Sequence, residues 1–160
     1  MSPAPASALL PELAELLLAR GTRVRMAVGG RSMAPRLRDN DIVTIEPLTG
    51  TSVHFGELVL FRNAGGALVL HRVLRRWRGH LQTGGDASIR LDRAIARERV
   101  LGRVCRIEKE DGSRIELERA RERVRAIVIG VAKVVSSGVF YKINRLFTGR
   151  IREQARSYSG

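Results

Sequence analysis

Apolar residues recur at helical spacing near the start of the chain. Within residues 9–20 the leucines lie mostly on one helical face, while Glu12 and Glu15 fall elsewhere. Gly21 follows as a stop signal, and Pro11 is tolerated in a first turn. The pattern predicts a short amphipathic helix within residues 1–21, which is too small to form a DNA-binding domain by itself.

From residue 22 to residue 117 the pattern changes to short apolar or alternating runs separated by Gly, Asn, Asp and Pro. Such intervals are typical of turns between strands. Strands are predicted over residues 22–28, 42–46, 58–62, 67–77, 100–108 and 113–117, with a tight turn at 83–86 and hairpins at 63–66 and 109–112. The expected fold is mainly β, an antiparallel sheet or partial barrel with a short N-terminal helix and C-terminal amphipathic helices.

The helical pattern returns in the last part of the chain. Apolar residues recur at helical spacing at Val124, Ile127, Val128, Val131, Val135 and Val139. Basic residues dominate the charges around them. Residues 118–160 are therefore predicted to be a basic amphipathic tail. Two interpretations of its apolar face stay open: contact with a membrane interface, or packing against the β domain or a second subunit.

The charge balance narrows the choice of partners. The formal net charge is +13, which favours polyanions such as nucleic acid or an anionic membrane. The excess is mostly Arg spread along the chain, without the compact basic block and interleaved aromatics of nucleic-acid platforms. We therefore do not expect nucleic acid as a partner. The second expected partner, besides a peptide substrate, is an anionic membrane contacted peripherally through residues 118–160.

The cysteine and apolar content exclude several classes of protein. Cys105 is the single cysteine, so no intramolecular disulfide forms, and three histidines with one cysteine argue against a zinc site. No metal or cofactor is expected. Residues 1–21 lack a basic region before the apolar run, and no stretch reaches the ~18 uncharged apolar residues of a spanning helix. We expect a cytoplasmic protein, with peripheral association at the inner membrane as the alternative.

Three residue types that together make an activated nucleophile occur in the β region. Ser32 follows a predicted strand and two glycines, His71 lies late in an apolar strand, and Asp86 follows another pair of glycines. A serine hydroxyl attacks when a base takes its proton and an acid holds that base in the right tautomer. Each residue alone is more often structural, as a loop serine, a core histidine or a turn aspartate. Asp92 is the second candidate for the orienting acid.

The turn around Ser32 also predicts a binding region. Gly30, Arg31 and Met33 flank the serine, and backbone N–H groups of this turn are candidates to bind an oxyanion. His54 and His80 are weaker candidates for the base, because neither lies inside a predicted strand that would hold it still.

Five segments, taken in order, resemble the signal peptidase and LexA group of serine proteases. They are Gly30-Arg31-Ser32-Met33-Ala34-Pro35, Asp39-Asn40-Asp41-Ile42-Val43, Gly56-Glu57-Leu58-Val59-Leu60-Phe61, His71-Arg72-Val73, and a closing segment with Thr83-Gly84-Gly85-Asp86-Ala87, Asp92 and Leu101-Gly102-Arg103-Val104. The resemblance covers about residues 22–107. It implies that fold and a serine endopeptidase activity.

Within this group the resemblance favours one branch. Bacterial signal peptidases and LexA-type proteins activate the serine with a lysine, but no lysine lies between Ser32 and Lys109. The endoplasmic-reticulum, archaeal and sporulating-bacterium enzymes use His followed by Arg, as at His71. The resemblance then implies Ser32 as nucleophile and His71 as base, and it leaves Asp86 and Asp92 both open as the orienting acid.

The chain also departs from that group in two places. Signal peptidases usually carry Ser-Gly before the nucleophile, where this chain has Gly30-Arg31, so an oxyanion hole would rest on backbone amides. No N-terminal membrane anchor is predicted. The expected function is cleavage of an extended leader or signal-type peptide by a Ser-His-Asp mechanism. The alternatives are a self-cleaving LexA-type regulator, disfavoured because no Ala-Gly or Cys-Gly pair precedes Ser32, and a non-catalytic basic module that binds membrane or nucleic acid.

Overall fold

The computed structural model describes residues 6–48, 53–133 and 135. Its elements are helix α1 (Ala6–Ala19) and strands β1 (Val24–Ala27), β2 (Ile42–Pro47), β3 (Leu58–Arg62), β4 (Leu68–Trp77), β5 (His80–Gly84), β6 (Ile95–Ala96), β7 (Val100–Glu108) and β8 (Arg114–Glu116). A 3-10 turn over Arg97–Arg99 leads into β7. Residues 119–133 form a second helix, α2.

The eight strands form one antiparallel sheet in the order β1-β2-β7-β3-β4-β5-β6, with β8 paired to β7. Register shifts interrupt the pairing of β2 with β7, β3 with β7 and β4 with β5. Such irregularities bend a strand and increase its twist, which suits a sheet that curves into a partial barrel. The mainly β fold expected from the sequence is confirmed.

The sheet buries side chains on both of its faces. In β3, Leu58 and Leu60 join a cluster that α1 covers through Ala14 and Leu18. The intervening residues of β3 point the other way, into a second cluster made of Val53, Val59, Phe61, Val73, Leu81, Ile95 and Val100. Because successive side chains of a strand alternate between faces, a strand buried on both sides is continuously apolar. This explains the uninterrupted Leu-Val-Leu-Phe run.

Several local predictions were wrong. Helix α1 begins at Ala6, so Pro11 lies inside the helix instead of in its first turn. The predicted turn at 83–86 begins later, because Thr83 and Gly84 complete β5. His80 opens that same strand, so it does not lie in a loop. Strand β5 was not predicted, because its own sequence carries a single large apolar residue. The strand forms through its pairing with β4.

Helix α2 packs on the β domain through its polar side. Glu122, Ala126 and Lys133 are buried against the domain. The predicted apolar stripe faces outward instead, with Val124, Ile127, Val128, Val131 and Val135 each 56–63% exposed. The interpretation in which this stripe packs on the β domain was therefore wrong for these five residues. Val139 and the remainder of the predicted tail lie outside the described residues.

Candidate functional site

Ser32 lies on an exposed loop between β1 and β2. The side chain of the next residue, Met33, is buried in the core together with that of Leu37. The amide of Leu37 donates to the carbonyl of Met33 at 2.9 Å, and the amide of Ala34 donates to the carbonyl of Arg31 at 3.1 Å. The buried side chains of Met33 and Leu37 and these two turn hydrogen bonds thus hold the loop in place, while Ser32 is exposed to solvent.

Two aspartates brace the same loop. Asp39 accepts a hydrogen bond from the Gly30 amide at 2.5 Å. Asp41, which is only 3% exposed, accepts from the amide of Arg38 at 2.8 Å and from the ammonium of Lys109 at 2.6 Å. Burial acts to raise the pKa of Asp41, but the hydrogen bonds from Lys109 and the Arg38 amide outweigh it and lower the pKa. The Asp41 carboxylate that supports this loop is therefore ionised at neutral pH.

His71 lies between Ser32 and Asp92 and contacts both. Nε2 of His71 is 3.2 Å from Oγ of Ser32, and Nδ1 is 2.6 Å from Oδ2 of Asp92. His71 lies in β4, where it pairs with Val59 of β3. A strand paired in this way gives the imidazole a fixed backbone, and the two ring nitrogens meet an acid on one side and a hydroxyl on the other.

Asp92 is held at both its backbone and its side chain. Its amide donates to the carbonyl of Thr83 at 2.9 Å, and the Thr83 hydroxyl donates to the same Oδ2 that contacts His71, at 2.6 Å. Burial acts to raise the pKa of Asp92, but the hydrogen bonds from His71 and Thr83 lead the contributions that lower it below its usual range. The carboxylate is therefore ionised at neutral pH and accepts both hydrogen bonds.

The second candidate acid does not contact His71. Asp86 binds the guanidinium of Arg72 through two hydrogen bonds, from Nε at 2.8 Å and from NH2 at 2.7 Å. Arg72 is fully buried and also donates to Glu122 of α2 at 2.6 Å. Burial acts to lower the pKa of Arg72, but Asp86 and then Glu122 outweigh it and raise the pKa. Of the two aspartates that the sequence left open, the structure brings Asp92 to the imidazole and Asp86 to a buried ion pair.

The segment after β5 packs directly on the serine. The amide of Ala87 donates to the Ser32 carbonyl at 2.9 Å. A Cβ atom added to Gly85 would lie 2.5 Å from that same carbonyl oxygen, so only glycine fits there. The carbonyl of Gly85 in turn accepts a hydrogen bond from the ammonium of Lys133 at 2.7 Å. Helix α2 thus contacts the segment that packs on Ser32.

The flanking residues predicted to bind substrate have different surroundings. Gly30 donates its amide to Asp39, so this N–H is already used. Met33 contributes its side chain to the core, which leaves only its backbone for the site. Arg31 is exposed beside Ser32. Within the described part of the chain, the amides of Ser32 and Met33 donate no hydrogen bond.

Sequence reasoning gave no role to Thr83, Glu122 or Lys133, although each supports the site. Thr83 belongs to the segment Thr83-Gly84-Gly85-Asp86, and the two glycines led to the prediction of a turn there. The sequence contains a signal for Glu122 and Lys133 that was not used. They are charged residues on one side of a helix whose apolar stripe lies elsewhere. The other histidines have separate partners: His54 is 3.5 Å from Glu57, and the His80 ring stacks on that of Trp77.

Two clefts meet at His71. The larger, about 720 Å³, has a mixed lining that includes Phe61, Asn63, Val69, His80, Arg93 and Arg99. The smaller, about 280 Å³, contains Ser32 and is mostly apolar, with Val28, Gly29, Gly30, Met33, Leu68 and Leu70 in its wall. Within the described residues, β1 is an end strand of the sheet, and β5 pairs with β4 only from Arg72 onward. The unpaired edge of β4 borders the smaller cleft at Leu68 and Leu70, and Val28, the residue after β1, lies in its wall.

Among the residues whose positions are described, no group of three or more His, Cys, Asp and Glu side chains is placed to hold a metal ion. In the same ranges no helix has the length and apolar character needed to cross a membrane. Comparison with protein-family models found no match, and neither did comparison with curated protein sequences.

Proposed function

We propose that this chain is a serine endopeptidase similar to the signal peptidases that use histidine as the base. The observation that carries the proposal is the line from Ser32 through His71 to Asp92, with separations of 3.2 and 2.6 Å. The residue types agree with the roles, since a hydroxyl, an imidazole and an ionised carboxylate stand in the order that nucleophilic catalysis requires.

In this proposal the reaction has two halves. Oγ of Ser32 attacks the carbonyl carbon of the scissile peptide bond while Nε2 of His71 takes the hydroxyl proton. Asp92 keeps the other ring proton on Nδ1 and stabilises the imidazolium. The tetrahedral intermediate collapses, the C–N bond breaks, and His71 gives its proton to the leaving amine. Water then attacks the acyl-serine ester with His71 again as base, which releases the acid product and restores Ser32.

The proposed oxyanion hole consists of backbone groups. The amides of Ser32 and Met33 are its candidates, because neither has an acceptor within the described residues and both belong to a braced loop. Gly30 is excluded as an amide donor by its bond to Asp39. Donors held in place before the reaction stabilise developing negative charge without reorganisation, which is why the rigidity of this loop matters.

The unpaired edge of β4 at the smaller cleft supports an extended peptide as the substrate. A strand laid along this edge would pair with the β4 backbone and place alternate side chains in the cleft. A cleft of about 280 Å³ with two glycines in its wall suits small side chains next to the cut. This agrees with the extended leader or signal-type peptide expected from the sequence.

We also propose that the outer face of α2 contacts an anionic membrane surface. The apolar stripe is exposed, and every exposed charged side chain within residues 119–133 is an arginine. A helix with an apolar face beside arginines suits the boundary between acyl chains and anionic headgroups. This contact would be a property of the peptidase and not a separate function.

Cleavage of a mixed peptide library, read by mass spectrometry, tests the proposal. Wild-type protein is expected to cut peptides, and the Ser32→Ala and His71→Ala variants to lose those cuts. Ser113→Ala is the matched control, since Ser113 is exposed in the hairpin between β7 and β8. Cleavage that persists in Ser32→Ala would refute the assigned nucleophile. If wild-type protein cuts nothing, with or without anionic vesicles, the non-catalytic binding module becomes the better explanation.

A further inference from the structure

Lys133 is a buried cation that the proposed mechanism does not use. Its residue is 8% exposed, and its ammonium donates to the Gly85 carbonyl at 2.7 Å. Burial lowers the pKa of Lys133, while the carboxylates of Asp86 and Asp92 act in the opposite direction. An ammonium taken out of water needs compensating partners. Its partners here all belong to the segment that carries the orienting acid and packs on the nucleophile.

The Gly85 backbone, which Lys133 holds, packs directly against the backbone of the proposed nucleophile, Ser32. Gly85 lies so close to Ser32 that an added Cβ would be 2.5 Å from the Ser32 carbonyl oxygen. Two residues later, the Ala87 amide donates to that carbonyl at 2.9 Å. A displacement of the Gly85 carbonyl would therefore move the backbone of Ser32 directly.

The charge of Lys133 acts on the acid of the proposed triad. Three charged groups act on the ammonium: Asp86 and Asp92 after β5, and Arg72 in β4. Asp92 in turn contacts His71, and Arg72 contacts Glu122. The ammonium is one of the groups that lower the pKa of Asp92. Arg72 has the same sign and acts against the charge of Lys133. The amine thus favours the ionised form of the carboxylate that holds His71.

A second contact fixes α2 in place. Glu122 lies on the same buried side of the helix and binds Arg72 at 2.6 Å. Gly56 packs against the helix backbone so closely that an added Cβ would be 2.8 Å from the carbonyl oxygen of Glu122. With α2 held at this point, Lys133 is presented to Gly85 from a rigid element and not from a loose segment.

We infer that Lys133 is a positioning residue of the proposed active site: its ammonium holds the Gly85 carbonyl, and with it the Ser32 backbone, and its charge supports Asp92. The inference rests on the proposed function for its kinetic consequences. It assigns no proton transfer to Lys133, and the amine lines neither of the two clefts at His71.

Three variants separate this role from a general effect on folding. Lys133→Met removes the charge and the donor but keeps most of the side-chain volume. Lys133→Arg keeps a charge and donors. Arg114→Met is the matched control, because it removes a cation from β8, away from the site, at a side chain that is 70% exposed. Each is assayed on the best-cleaved library peptide, and folding is checked by thermal melting.

For Lys133→Met we expect kcat to fall about 10- to 100-fold, because small displacements of reacting groups have effects of this size. KM is expected to stay within about threefold, since the amine does not line the clefts. The acid limb of the kcat/KM profile should move to higher pH by roughly 0.5–1 unit, because losing a nearby cation makes the Asp92–His71 pair easier to protonate. Lys133→Arg should recover part of the loss, and Arg114→Met should match the wild type.

Hydrogen exchange of the Ala87 amide, followed by NMR, tests the positioning role without any activity. Exchange should accelerate at least about tenfold in Lys133→Met, since the segment loses its anchor. The Asn63 amide, bonded to the Ala67 carbonyl in the hairpin between β3 and β4, is the internal control and should not change.

A folded Lys133→Met variant with wild-type kcat, pH profile and Ala87 exchange would overturn the inference. If Lys133→Met does not fold, Lys133→Gln is read in its place by the same criteria. If the wild-type chain cleaves no peptide, the proposed function fails, and the exchange of Ala87 still decides whether Lys133 positions this segment.

Discussion

The different partners of Asp92 and Asp86 predict different consequences for two substitutions that each remove one negative charge. In Asp92→Asn an amide replaces the carboxylate that lies 2.6 Å from Nδ1 of His71. The amide N–H can face Nδ1, which favours the tautomer whose proton sits on Nε2. That nitrogen then cannot take the Ser32 proton. We expect kcat/KM to fall by about 10⁴, equivalent to about 5.5 kcal/mol of transition-state stabilisation, with a loss of about 1–2 kcal/mol in the free energy of unfolding.

Asp86→Asn is expected to act mainly on stability. It removes the charge that pairs with Arg72 through hydrogen bonds of 2.8 and 2.7 Å, both made to a guanidinium with no exposed side-chain area. Breaking a buried ion pair costs about 3–5 kcal/mol. Glu122 continues to balance Arg72, so we expect about 3 kcal/mol. The kcat/KM of the folded protein should fall only about tenfold, through movement of the segment that packs on Ser32.

Urea unfolding and peptide cleavage, measured on the same preparations, check both expectations. Asp111→Asn in the exposed hairpin between β7 and β8 is the control for loss of an aspartate charge. The reasoning is refuted if Asp86→Asn abolishes cleavage at unchanged stability while Asp92→Asn remains active. That result would make Asp86 the acid that orients His71 and would mean that the 2.6 Å contact of Asp92 is not used.

Three further substitutions test other contacts. Gly85→Ala should lower kcat/KM more than about 100-fold by displacing Ser32, whereas Gly130→Ala on α2, whose added Cβ meets nothing within 4 Å, should leave it unchanged. Asp41 has a lowered pKa, so it contributes stability above its ordinary value near pH 4 that is lost as pH falls through the lowered value. The deficit of Asp41→Asn in urea unfolding should therefore be largest at neutral pH and shrink as the pH falls below the ordinary pKa of an aspartate. Val128→Glu should weaken co-sedimentation with anionic vesicles, and wild-type binding should decrease as salt increases.

The elements that the sequence predicted best are those whose local pattern and tertiary environment agree. Strand β3 was predicted at its true bounds, because burial on both faces produces a continuous apolar run. Strand β5 was missed, because its backbone pairing with β4 holds it and its own side chains give little signal. Prediction from periodicity detects burial, and it has no access to a ladder of hydrogen bonds formed with a distant strand.

The same distinction applies to the candidate site. Ser32 and His71 stood in recognisable segments, and the structure places them 3.2 Å apart. The choice between the two aspartates was not accessible, because both follow β5 closely and both suit a turn. Their roles depend on which neighbour each meets, and those neighbours, His71 and Arg72, are adjacent in β4 and point to opposite faces of the sheet. The sequence does not give the register of the segment after β5 against β4, so it cannot show which of these two faces each aspartate meets.

Glu122 offers the clearest test of whether α2 belongs to the folded unit of the site. Its carboxylate is 4% exposed and joins two cations, Arg36 and Arg72, each at 2.6 Å. Without its charge, Arg36 loses this ion pair, and among the described carboxylates Asp86 is left to balance Arg72. We expect Glu122→Gln to lose about 3–5 kcal/mol in urea unfolding, while Glu118→Gln, at a side chain 61% exposed, changes stability by less than about 0.5 kcal/mol. Equal stability of the two variants would mean that α2 is an appendage, and the contact of Lys133 with Gly85 would then lose its support.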